Sequence, residues 1–168
     1  MNSVEQHLFD DSQLNREELE KTLGYIHQHK VDYADLYFQS SHHESWVLED
    51  GLVKEGSYNV ERGVGVRAVC GEKTGFSYSD AINLEALNKA ATAARSIADA
   101  GEDKTIKVFS DVKAKEQFAP HQPISSMSDS DKVSLLRELE NYIRELAPDA
   151  EQVISSMSAV YEEVLIAA

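Results

Sequence analysis

The sequence predicts an α+β fold in which a largely antiparallel or mixed sheet of about six to seven strands carries three packed helices. Two observations lead to this prediction. Alternating apolar and polar residues flank two short glycine-containing turns, Asp50-Gly51 and Gly71-Glu72, as they do in β-hairpins. Three other segments repeat apolar residues at helical spacing, and each begins with a capping residue.

The first two helices are predicted from their caps. Asn15 and Glu18 have the spacing of a capping box, so a helix is predicted over 16–29. Asn83 caps a second helix over about 84–99, which has an alanine-rich apolar stripe. An alanine-rich helix can approach a sheet face of small residues closely, so we expect this helix to pack on the sheet.

The third helix begins at Ser128 and Asp131, and Pro148 stops it. Its apolar residues recur at helical spacing, which predicts that they face the sheet. They are Val133, Leu136, Leu139, Tyr142, Ile143 and Leu146.

The strands are predicted from alternation. Ala34, Leu36 and Phe38 alternate with polar residues, as in a half-buried strand. The two glycine turns separate further strands, and two more are predicted in the C-terminal segment 151–168. The strands that flank the two turns are predicted near 43–49, 52–60, 63–70 and 73–79, and 105–109 is a candidate for one further short strand.

The stretch Gly63-Val64-Gly65-Val66-Arg67-Ala68 has the glycine spacing of a dinucleotide-binding turn. Such a turn must open a helix, whereas here alternation continues through the glycines into the next segment. A hairpin at Gly71-Glu72 would place Gly65 opposite Tyr78 and Arg67 opposite Phe76, so that aromatic rings cover positions without side chains. We therefore interpret the glycines as part of a hairpin.

Composition limits the function further. The chain has 168 residues and a net charge of −14, which disfavours nucleic-acid binding. It has one cysteine, Cys70, and no apolar run long enough to cross a membrane, so we expect a cytoplasmic protein. The predicted organisation is a lead-in segment over 1–14 and a single domain over 15–168.

No residue pattern predicts catalysis or metal binding. His42-His43-Glu44 lacks the second histidine that a helical zinc motif needs, so these residues are expected in an exposed turn. Arg67, on an otherwise apolar strand, either forms a structural ion pair or contacts a ligand or another part of the protein. Trp46 is either a core residue or an interface anchor. The predicted candidates for a groove or subunit contact are Trp46, Arg67 and Tyr78.

The stretch 32–80 resembles the N-terminal domain of the TldD/PmbA family, also called modulator of DNA gyrase. The string GVGVRAVCGEKTGFSYSD is the most specific part, and the similarity continues through "SSMSDSDKVSLLREL" and "SSMSAVYEEVLIAA". The resemblance implies a cytoplasmic zinc metallopeptidase that cuts unfolded peptides and pairs with a non-catalytic TldE/PmbA-like subunit.

The zinc motif of that family is a helical His-Glu-x-x-x-His with a later cysteine, and none of these positions occurs here. The resemblance therefore implies a scaffold or subunit-contact segment, inactive alone and without the C-terminal peptidase domain. It implies zinc in the complete protein but no cofactor in this segment. The alternative is a stand-alone, non-catalytic binding module of the same fold.

Overall fold

The computed structural model describes residues 3–10, 12–28, 30–98 and 126–168. Within these residues the chain forms four helices and one sheet of four antiparallel strands in the order β3-β2-β1-β4. The helices are α1 (Ser3–Phe9), α2 (Arg16–His27), α3 (Leu84–Ala98) and α4 (Asp129–Leu146). The strands are β1 (Tyr33–Glu49), β2 (Leu52–Cys70), β3 (Lys73–Ser79) and β4 (Ile154–Ala167).

The predicted fold of six to seven strands and three helices is wrong. The described residues contain four longer strands, because β1 continues through Ser40-Ser41 and β2 joins the segments predicted as two strands. Alternation lapses at these points, but ladder hydrogen bonds use the backbone and do not require apolar side chains. The lead-in contains the additional helix, α1. The strand predicted at 105–109 lies outside the described residues.

Both predicted hairpin turns are present. β1 ends at Glu49 and β2 begins at Leu52, and the two turn residues between them have positive φ angles of 49° (Asp50) and 75° (Gly51). A type I′ turn needs positive φ at both positions, which explains the Asp-Gly pair. The second turn has a φ of 56° at Gly71. Glycine adopts this backbone region without steric cost.

The chain divides into two compact units. The first contains the described residues of Met1–Ser40, Glu61–Ala114 and Glu163–Ala168, and the second those of Ser41–Val60 and Lys115–Glu162.

The core of the first unit lies between the sheet and the helices α2 and α3. The small side chains Val64, Val66 and Ala68 are buried in one cluster with Leu87 and the alanines of α3. The predicted packing of an alanine-rich helix on this strand is therefore confirmed. Among the described residues Phe38 is the largest fully buried side chain, and Phe9 of α1 contacts it edge to face with 5.1 Å between the ring centroids. Burial of such a side chain contributes about 1.5–3 kcal/mol.

The register of β2 with β3 is as predicted. Gly65 pairs with Tyr78, and Arg67 pairs with Phe76. The ring of Phe76 lies over Gly65, where an added Cβ would come within 3.2 Å of it. The small-residue and aromatic positions of this hairpin are therefore on opposite faces of the sheet.

The second unit contains α4, and only part of its predicted apolar stripe is buried. Its buried residues are Lys132, Leu136 and Glu140, whereas Leu139 and Leu146 of the predicted apolar stripe are 46% and 69% exposed. Two of its contacts with residues distant in sequence are polar. Lys132 pairs with Glu44, and Ser155 donates a hydrogen bond to the Leu136 carbonyl at 3.3 Å. These partners are distant in sequence, so the local apolar pattern could not reveal the orientation of the helix.

Candidate functional site

Arg67 is held by an ion pair on the first unit's sheet. Its Nε and Nη2 both donate to Asp35 Oδ2, at 2.9 and 2.5 Å, and its guanidinium lies 5.5 Å from the centroid of the Tyr33 ring. The hydrogen bond and charge of Asp35 raise the pKa of Arg67 above its ordinary value. Burial and the neighbouring carboxylate raise the pKa of Tyr33. The Asp35 side chain is 10% exposed and that of Arg67 is 48% exposed, so the pair is structural but one side of the guanidinium faces solvent.

Tyr78 lies on the same face of the sheet as Arg67. It is 78% exposed and stacks on Phe76, with 6.4 Å between ring centroids and 27° between planes. Because Phe76 pairs with Arg67, the three side chains are neighbours. We call Tyr33, Arg67, Phe76 and Tyr78 the aromatic face. Large exposed rings around a cation are typical of contact surfaces.

Trp46 belongs to the second unit, so the structure assigns the three predicted contact residues to two units. Its Nε1 donates to the Glu44 carboxylate, and Gly56 lies against its ring, where an added Cβ would come within 3.0 Å. A cleft of about 220 Å³ is lined by Glu44, Trp46, Gly56, Ser57, Tyr58 and Asp129. It is smaller than the roughly 300–1,000 Å³ of ordinary ligand pockets. Two of its lining carboxylates, Glu44 and Asp129, are paired with Lys132.

Glu44 is the residue that sequence reasoning missed in this region. It lies in strand β1 rather than in an exposed turn and is 8% exposed. Its Oε1 lies 2.6 Å from Lys132 Nζ. Burial opposes its ionisation, but the hydrogen bonds from Lys132 and Trp46 and the lysine charge outweigh that effect and lower the pKa of Glu44. Since Lys132 is 88 residues away, no local pattern signals the pair.

The described residues of this segment do not form a zinc site. Among the described residues, no group of three His, Cys, Asp or Glu side chains is placed to hold a metal ion. Glu44 is already bound by Lys132 and Trp46, and His42 Nδ1 lies 2.9 Å from the Tyr58 hydroxyl. Cys70 is half-buried beside the first unit's core.

None of the helices in the described residues is both long enough and apolar enough to cross a bilayer.

Two solved structures share the fold of this chain. TldE from Thermococcus kodakarensis matches 89% of this chain with a TM-score of 0.59 and 15% identity, and the match spans 34% of that protein. A structure described as a putative modulator of DNA gyrase from Bacteroides thetaiotaomicron matches 92% of the chain with a TM-score of 0.61 and 16% identity. The match covers 37% of that structure, so the chain has the fold of one part of these proteins.

Sequence comparison gives the family. The profile described as "PmbA/TldA metallopeptidase domain 1" matches residues 34–98. A "Metalloprotease TldD homolog" of Haemophilus influenzae is 42% identical over the whole chain, and one of Buchnera aphidicola from Schizaphis graminum is 39% identical over 97% of it. The chain belongs to the PmbA/TldD family and corresponds to its N-terminal domain. It spans 35% and 34% of the length of these two relatives.

Proposed function

We propose that this chain is the N-terminal scaffold and subunit-contact segment of a TldD-like zinc metallopeptidase that acts on unfolded peptides in the cytoplasm. The main support is the similarity to proteins named metalloprotease TldD over the whole chain, although the chain spans only about a third of their length. In this proposal the zinc ligands and the peptidase chemistry belong to the remaining part of the complete protein.

The aromatic face supports the contact role. Phe76 and Tyr78 are 58% and 78% exposed although they are large apolar side chains, and Arg67 is fixed beside them by Asp35. Rigid aromatic and arginine side chains lose little conformational entropy on binding. We propose that this face contacts a TldE/PmbA-like partner subunit or the peptidase domain of the complete protein.

The isolated 168-residue chain is expected to retain no stoichiometric zinc after dialysis and to leave unfolded peptides uncut. The physical reason is that its described residues bring no three metal-binding side chains together. Zinc content by mass spectrometry and hydrolysis of a denatured, fluorescently labelled casein would check this. Chelator-sensitive cleavage by the isolated chain would contradict the proposal.

The contact role is tested in the complete protein co-expressed with its TldE/PmbA-type subunit. Tyr78→Ser is expected to reduce the amount of partner that co-purifies by about tenfold or more, because the loss of a central aromatic contact weakens binding by that factor. The matched control is Tyr25→Ser, since Tyr25 is also exposed but lies on α2. Equal co-purification for both variants would contradict the assigned face.

The coding sequence after Ala168 separates the proposal from a stand-alone module. A helical His-Glu-x-x-x-His there supports a peptidase segment, whereas a stop codon supports the module.

A further inference from the structure

Helix α4 exposes a row of large apolar side chains in the second unit. Leu135, Leu139, Tyr142 and Leu146 are 47%, 46%, 58% and 69% exposed. Their spacing of four, three and four residues is that of the a and d positions of a coiled-coil heptad. We call these four residues the α4 seam. Aligned apolar side chains of this kind mark an interaction surface more often than isolated exposed ones.

The α4 seam is not the face through which the helix packs in its own unit. The buried residues Lys132, Leu136 and Glu140 are spaced four apart and lie on a neighbouring side of the helix. Lys132 pairs with Glu44, and Glu140 accepts a hydrogen bond from the Gly51 backbone N–H at 2.6 Å. Polar contacts thus fix the orientation of α4 and leave its apolar seam outward.

One flank of the seam is acidic. Asp131, Glu138 and Glu145 recur at intervals of seven residues, and all three are exposed. In heptad terms they occupy the g position, which sets the choice of partner through charge. On the other flank, the e positions are the apolar residues Leu136 and Ile143. We propose that the α4 seam binds an amphipathic helix of another protein whose apolar stripe is flanked by lysine or arginine.

A second copy of this chain is a poor occupant. An antiparallel pair would place the acidic flanks against each other, and a parallel pair would set the carboxylates opposite the e positions, where Leu136 is buried and Ile143 is apolar. Neither arrangement supplies a basic residue, and the net charge of −14 adds repulsion. An anionic bilayer is disfavoured for the same reason. The inference is independent of the peptidase assignment, because it depends only on α4.

The probe is a 21-residue fluorescent peptide with leucine at each a and d position and lysine at each e and g position. Its own lysines keep it from pairing with itself. A second peptide carries glutamate in place of lysine. By fluorescence anisotropy, we expect the intact 168-residue chain to bind the lysine peptide at least about fivefold more tightly, the scale of a few exposed ion pairs. Equal binding of both peptides, or binding of neither, would overturn the proposal.

Variants of the chain distinguish binding of the lysine peptide at the α4 seam from its general electrostatic attraction to an acidic protein. Leu139→Ser keeps the charge and should weaken binding about tenfold, and Tyr142→Ser should act likewise if the first variant folds poorly by circular dichroism. Glu138→Lys with Glu145→Lys should reverse the peptide preference. The control pair Asp149→Lys with Glu151→Lys makes the same charge change outside α4 and should keep the preference. Retained binding by Leu139→Ser, or a wild-type dimer in sedimentation that Leu139→Ser dissolves, would refute the assignment.

Discussion

Replacing Lys132 with methionine is expected to lower the free energy of unfolding by about 2–3 kcal/mol. Lys132 and Glu44 are 6% and 8% exposed, and their charged atoms are 2.6 Å apart. Two side chains, Lys132 and Trp46, donate hydrogen bonds to the Glu44 carboxylate. Without the ammonium group only the hydrogen bond from Trp46 would remain. Leaving a buried carboxylate without its cation lowers the free energy of unfolding by more than the intact pair had added to it. Urea denaturation followed by circular dichroism measures the change.

Two controls make this prediction specific. Glu44→Gln combined with Lys132→Met removes both charges, so the double variant should lose less stability than Lys132→Met alone. Lys54→Met breaks the exposed pair of Lys54 with Glu49, whose N–O distance is 3.7 Å, and should cost under about 1 kcal/mol. A double variant as unstable as the sum of its single changes would show that the two charges do not interact.

The same pair sets a dependence on pH. The folded state lowers the pKa of Glu44 below 4.5, so the carboxylate's stabilising contribution is present above pH 4.5 and is lost as the pH falls through the folded value. It raises the pKa of Lys132 above 10.5, so the ammonium's contribution is present below pH 10.5 and is lost as the pH rises further. The destabilising effect of Lys132→Met should therefore be largest between these limits.

Gly63→Ala is expected to destabilise the protein by about 1–3 kcal/mol, whereas Gly65→Ala should cost less than about 1 kcal/mol. A Cβ on Gly63 would lie 2.6 Å from the Ser79 carbonyl oxygen, and this backbone atom can move only if the end of the β2–β3 ladder opens. A Cβ on Gly65 would meet the Phe76 ring at 3.2 Å, and this exposed side chain can rotate away.

The two glycine variants are matched controls for each other, since both add one methyl group to the same strand. Urea denaturation gives the stability difference, and amide hydrogen exchange at Val64 shows whether the ladder end opens. Equal losses in the two variants would mean that the clash with Ser79 does not determine the cost.

Local chemistry was enough to predict the turns, the caps and one register. Asp50-Gly51 has the φ angles that it predicted, and Asn15 accepts the expected hydrogen bond from the Glu18 N–H. These features depend on residues a few positions apart. Strand length could not be predicted in the same way, because β2 is exposed from Leu52 to Arg62 and needs no apolar alternation there.

The surroundings of the candidate contact residues were predicted only in part, and their contact role stays a prediction. The sequence showed that Arg67 needed either a partner or a groove, but its partner Asp35 is 32 residues away. The register prediction correctly placed Arg67 beside Phe76, so the aromatic face was partly foreseen. The orientation of α4 was missed because its polar partners Glu44 and Gly51 lie in a hairpin that is distant in sequence.

Trp46 is the only tryptophan of the chain, and it lies in the second unit. Its indole emission therefore reports the surroundings of one unit, next to Glu44 and Gly56. Emission excited at the red edge of tryptophan absorption comes from this residue alone, so it does not report on the unit that holds Phe38 and the aromatic face. Tryptophan fluorescence can therefore follow the unfolding of the second unit, whereas circular dichroism of the backbone follows both units together.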